Sequence, residues 1–183
     1  SSAFIGMGLS FVLIFFLGLP RLAMVFWLLI AVRILNRSTG ISPKILDVLF
    51  FIGLGAWLTY QGYWPLGLFT PAVLLGDGLL PQGKRSQFWF AVLGAAAATA
   101  TFIFKKGIWI PGNFSWFSSS PAILSAVFFI PVIWESRNIQ SRGDKTGGKL
   151  NPRRVQAGQV QAAVIWLLFS LEGGFSGWIG VTL

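Results

Sequence analysis

The residues of this chain that could do chemistry are few. There are five carboxylates, Asp47, Asp77, Glu135, Asp144 and Glu172, with no histidine and no cysteine. That set excludes disulfides, thiolate or imidazole metal sites, cysteine nucleophiles and the usual axial ligands of haem or chlorophyll. General acid–base catalysis needs paired acids or a base beside a nucleophile, and these five residues share no face that spacing alone establishes. The expectation is therefore a protein that is not an enzyme, with no catalytic residue, no metal site and no cofactor ligated by its side chains. Apolar contacts to pigment, quinone or lipid are compatible with this composition, but no cofactor-binding residue can be named.

Two carboxylates stand out as intramembrane polar candidates, because an ionised group at the centre of a bilayer costs roughly 2.5–3.5 kcal/mol on insertion scales. Asp77, flanked by Gly76 and Gly78, lies four residues before Pro81, about 6 Å from the expected end of its helix. It marks a frayed helix end or, beside carbonyls exposed by the Gly-Asp-Gly break, a cation or proton site. Glu172 is followed by Gly173-Gly174. A helix starting near Val155 puts Glu172 close to the outer end, and one starting near Val160 puts it deep, where it needs protein, water or a partner's cation. No basic residue is clearly placed at the depth of either acid. Asp47 follows Ser42-Pro43, read as an N-cap and first-turn proline, so it suits the positive end of a helix dipole. Arg33 ends its segment and can snorkel to the interface. The Gly147-Gly148-Lys149 run looks faintly like a phosphate loop, but Leu150 follows the lysine and no strand precedes it, so no nucleotide site is expected.

The elements that must hold these residues are apolar. Only 10% of the 183 residues are charged and the mean hydropathy is +0.73, whereas soluble domains carry roughly a quarter charged residues. Runs bounded by Pro, Gly and charge give an all-α, polytopic integral membrane protein of about seven helices (range five to seven) forming a single transmembrane domain over 1–183. The segments are 3–19, 22–35, 45–63, 65–80, 88–104, 121–134 and about 157–178. Tight hairpins are expected around Gly18–Arg21 and Gly62–Pro65, where Gly and Pro break the helix. The apolar run after Ser1-Ser2-Ala3 lacks a basic n-region and is not expected to be a signal peptide. Residues 105–120 read as an interfacial outer loop and 135–154 as a flexible, basic cytoplasmic loop. Along 88–104, Gly94, Ala97, Ala98 and Thr101 form small-xxx-small pairs, a candidate helix-packing face.

The cations test this partition independently. With the N-terminus inside, the inner loops carry Arg33, Arg37, Lys44, Lys84, Arg85, Arg137, Arg142, Lys145, Lys149, Arg153 and Arg154, and the outer ones only Arg21, Lys105 and Lys106. Eleven against three obeys the positive-inside rule with the C-terminus outside. The net charge of +9 is thus a property of membrane-facing loops. Ten of these residues are candidate anionic-lipid contacts: Arg37, Lys44, Lys84, Arg85, Arg137, Arg142, Lys145, Lys149, Arg153 and Arg154. No stretch is polar enough to build a nucleic-acid-binding face.

The function expected from these features is that of a non-catalytic integral subunit that scaffolds or stabilises a larger membrane complex. Base rates favour a respiratory or photosynthetic assembly in a bacterial inner membrane or a derived energy-transducing membrane. Its partners would be membrane lipids, including anionic ones, and other membrane subunits, with no nucleic acid. The alternatives are a small ion or solute transporter or channel using Asp77 or Glu172, and the membrane anchor of a longer protein with an external soluble domain.

Overall fold

The computed structural model describes residues 19–37, 40–105, 116–143 and 147–182, with side chains over 22–37, 40–104, 120, 123–143 and 147–168. The chain is all-helical across these residues. Six α-helices follow in order: α1 Leu19–Asn36, α2 Ile45–Tyr60, α3 Trp64–Leu79, α4 Ser86–Lys105, α5 Trp116–Glu135 and α6 Pro152–Thr182, with a short 3₁₀ turn at Ser136–Asn138 after α5. The expected segment 3–19 lies almost wholly outside the described residues.

Several boundaries moved from their expected places for identifiable reasons. Pro20 lies in the first turn of α1, a position where its missing N–H costs nothing, so the Leu19–Arg21 stretch is helix and not linker. The α2–α3 connection is a Schellman turn. Gly62 N–H donates to Thr59 O at 3.0 Å and Tyr63 N–H to Leu58 O at 2.9 Å, while Gly62 takes φ +105°, which favours glycine. Pro65 then opens α3. Trp116 and Phe117, expected in an outer loop, form the first turn of α5, and 106–115 lie outside the described residues. In the 135–154 loop an antiparallel bridge pairs Arg142 with Lys149, closed by Gly143 N–H to Gly148 O at 2.8 Å and Leu150 N–H to Ser141 O at 3.0 Å. Residues 141–143 and 147–150, in the middle of that loop, are thus held together by backbone bonds.

The core forms where α1, α2 and α3 meet, with α4 on α2 and α3, and α6 joining α1 to α5. Trp27 stacks on Phe51 at 5.2 Å, and both are fully buried with Leu58, Leu66, Leu74 and Ile165. A close contact joins α2 and α3 reciprocally. A Cβ at Gly55 would collide with the Thr70 hydroxyl, and one at Gly67 with the Thr59 hydroxyl. Each hydroxyl bonds back into its own helix, Thr59 to Gly55 O at 2.8 Å and Thr70 to Leu66 O at 2.7 Å. Thr70 also accepts the Trp27 indole N–H at 3.0 Å. Two glycines therefore let two threonines fill the space between the backbones, and the buried Trp27 indole donor is satisfied in the same place.

Apolar surface is plentiful outside this core. Helix α4 contains a 19-residue stretch, Ser86–Phe104, with a mean hydropathy of 1.6, long and apolar enough by length and composition to cross a membrane, and only 22% of it is buried. Among the described residues, α1 and α2 also contribute shorter apolar stretches, Leu22–Asn36 and Ile45–Tyr60.

Candidate functional site: a buried Arg–Asp–Arg cluster

Helix α3 ends in Gly-Asp-Gly-Leu, which places Asp77 in the last turn, where the helix dipole is negative and a carboxylate is unfavourable. Two guanidinium groups compensate. Arg37, just past the end of α1, donates from Nε to Asp77 Oδ1 and from Nη2 to Oδ2, both at 3.0 Å. Arg154, in the first turn of α6, donates from Nη1 to Oδ1 at 2.6 Å. Asp77 is fully buried, Arg154 is 1% exposed and Arg37 is 6% exposed. The fork-on-fork Arg37 pair is the strong bidentate form of a charge-assisted hydrogen bond.

One carboxylate does not balance two buried cations, and helix ends supply the rest. Arg154 Nη1 donates to Leu35 O at 3.1 Å, Nε to Pro81 O at 2.7 Å, and Nη2 to Asp77 O at 3.2 Å. Arg37 Nη1 donates to Gln82 O at 2.7 Å. The C-terminal carbonyls of α1 and α3, with the turn after α3, thus present partial negative charge to the guanidinium groups. Burial pulls the Arg154 guanidinium below its ordinary value, the Asp77 hydrogen bond opposes that, and neighbouring Arg37 adds repulsion. An arginine remains charged through such a shift.

The backbone is strained to make this contact. Arg37 and Gln82 are the non-glycine residues with left-handed φ among the described residues, at 48° and 65°, and they are bonded to each other through Arg37 Nη1 and Gln82 O. Residues in this region cost about 1–2 kcal/mol without glycine and persist where their surroundings hold them. Gly83 sits under the cluster: a Cβ there would run into the carbonyl oxygens of Gly78 and Asp77.

The other expected residues fall in different places. Arg37 and Arg154, both expected as lipid contacts, turn inward because their guanidinium groups are consumed by Asp77 and backbone carbonyls. Lys44, Lys84, Arg85, Arg137, Arg142, Lys149 and Arg153 are exposed, and Arg137 lies over the Trp134 ring at 3.8 Å. Lys145 and the Glu172 side chain lie outside the described residues. Asp47 is exposed at the third position of α2 and accepts the Lys44 backbone N–H at 3.2 Å. The cap residue is Lys44, not Ser42. Gly94 and Ala98 are buried toward α2 and α3, and Ala97 and Thr101 are half-buried. The expectation that Asp77 lacks a basic partner is overturned. The signal was available in the loop charges: Arg37, Asp77 and Arg154 each lie within a few residues of helix ends assigned to the same side.

Comparison with known families, with curated proteins and with solved structures finds no match. Among the described residues no group of three or more acidic or other ligating side chains could hold a metal ion. What the cluster can do chemically is bind and lock. Both oxygens of its carboxylate are engaged, and most of its guanidinium N–H groups donate to that carboxylate or to carbonyls.

Proposed function

We propose that this protein is a non-catalytic, polytopic integral membrane subunit, with its N-terminus inside and its C-terminus outside, that scaffolds a larger membrane assembly through helix and lipid contacts. The observation that carries this reading is the closure of Asp77 by Arg37 and Arg154. An acid that moves a proton or coupling ion needs access to water and freedom from a fixed counter-charge, whereas Asp77 is fully buried and both its oxygens accept from arginine. It works instead as a tie between α1, α3 and α6. The outward apolar faces of α4 and α5, where Phe104, Trp89, Phe128 and Trp134 are all strongly exposed, suit acyl chains or neighbouring transmembrane helices. The contacts of Arg37 and Arg154 with the Asp77 end of α3 bring loops 37–44, 80–85 and 136–151 to one end of the bundle, which supports the inside assignment of their cations.

Purification from native membranes in mild detergent, with identification of what comes with the chain, tests the scaffold role. Stoichiometric co-purification of other membrane subunits is expected. In vesicles of the purified chain, ion and proton flux should stay at background for wild type, Asp77→Asn and Glu172→Gln. A flux that depends on either acid overturns the proposal in favour of a transporter.

A further inference from the structure

An amphipathic groove lies between α1 and α2 on the same end of the bundle as the Asp77 cluster. Its volume is about 530 Å³, and its lining includes Phe26, Ile30, Leu46 and Phe50 along the helices with Arg33 and Lys44 at the end. That volume is within the usual ~300–1,000 Å³ of small-molecule sites. Phe26 and Phe50 meet edge to face at 6.3 Å and form the apolar floor. They are 53% and 56% exposed, and Leu46 is 77% exposed, so no described residue covers this floor.

The arrangement is polarised along the helix axis. Phe26 lies seven residues before Arg33, and Phe50 six after Lys44, so on both helices the aromatic wall sits about 9–10.5 Å along the axis from the cation-bearing residue. Arg33 and Lys44 are both exposed and neither is drawn into the Asp77 cluster. Asp47 also borders the groove, but one of its oxygens accepts the Lys44 backbone N–H, which leaves two cations facing one partly occupied carboxylate. An anionic head at one end and hydrocarbon below it is the complement of this surface.

We infer that this groove is a binding site for one anionic phospholipid, its phosphate between Arg33 and Lys44 and an acyl chain over Phe26, Ile30 and Phe50. The inference deepens the membrane-subunit reading and rests on it. Selection comes from the charge pair, and the acyl chain supplies the hold, so a free headgroup binds poorly.

The test uses the full chain, purified in mild detergent and analysed by native mass spectrometry with phosphatidylglycerol or phosphatidylcholine of identical chains. Phosphatidylglycerol should be retained about 10-fold or more over phosphatidylcholine, and the double change Arg33→Ala with Lys44→Ala should remove that preference. Ile30→Trp, which fills the groove, should lower retention of both lipids. The comparison pair Lys84→Ala with Arg85→Ala, on exposed cations outside the lining, should reduce that preference by much less than the groove pair does. Equal retention of the two lipids, an equal loss in the comparison pair, or displacement of the lipid by millimolar glycerol phosphate would overturn the inference. Co-purification of partner subunits is scored separately, so a failed lipid site leaves the scaffold reading standing.

Discussion

Arg154 Nη1 meets Asp77 Oδ1 at 2.6 Å although 77 residues separate them in the chain. The contact joins the start of α6 to the end of α3, and Arg37 binds both oxygens of the same carboxylate. Removing that carboxylate strands two buried cations. Asp77→Asn is therefore expected to cost about 3–5 kcal/mol, read as a fall in unfolding midpoint in detergent. Asp47→Asn, at an exposed helix start, should cost about 1 kcal/mol or less. Equal effects at the two sites would show that the Asp77 cluster contributes nothing special.

The reciprocal glycine–threonine contact makes a separate prediction about packing. Gly55→Ala should destabilise by about 1–3 kcal/mol through overpacking against Thr70. Combined with Thr70→Ala, which removes the colliding hydroxyl, the loss should be smaller than the sum of the two single changes, although Trp27 then loses its acceptor. A double-mutant cycle measures the coupling.

Strain at Gln82 can be read directly. Gln82→Gly keeps the carbonyl that Arg37 uses and removes the left-handed penalty, so stability should hold or rise. Gln82→Ile keeps the carbonyl as well but should cost about 1–2 kcal/mol, because a branched Cβ tolerates that conformation poorly. Chemical unfolding of the two variants side by side decides it.

Cysteines introduced at Ser141 and Gln61, both exposed and at opposite ends of the bundle, should react with impermeant reagent from opposite sides of oriented vesicles. Labelling of both from one side would remove the proposed topology.

Much of the helical architecture was legible from apolarity, since α2, α3 and α4 lie within a few residues of the runs that Pro, Gly and charge delimit. The misplaced edges have local causes. Pro20 fits a first helical turn, and Trp116-Phe117 continue into α5 because nothing between them and Ser120 forbids helix. The cluster was only half legible. Asp77 stood out as an acid in a Gly-Asp-Gly break near a helix end, but Arg37 and Arg154 read as loop cations, since a one-dimensional charge count distinguishes sides of a membrane and not inward from outward directions. The Gly55–Thr70 and Gly67–Thr59 pairs were invisible for the same reason: each is a relation between two helices, and the Gly55-xxx-Thr59 spacing within α2 does not say which helix it meets.

The Asp77 cluster also imposes an order on biosynthesis. Arg37 and Asp77 leave the ribosome 40 residues apart and can pair as soon as α3 is inserted, but Arg154 emerges 77 residues after the carboxylate, ~4–15 s later at ordinary rates of synthesis. Until then the nascent chain holds a one-to-one ion pair that leaves Leu35, Pro81 and Leu80 carbonyls without their guanidinium donor. The arrival of α6 supplies that donor, so this helix acts as a late fastener whose docking completes the ties among α1, α3 and α6.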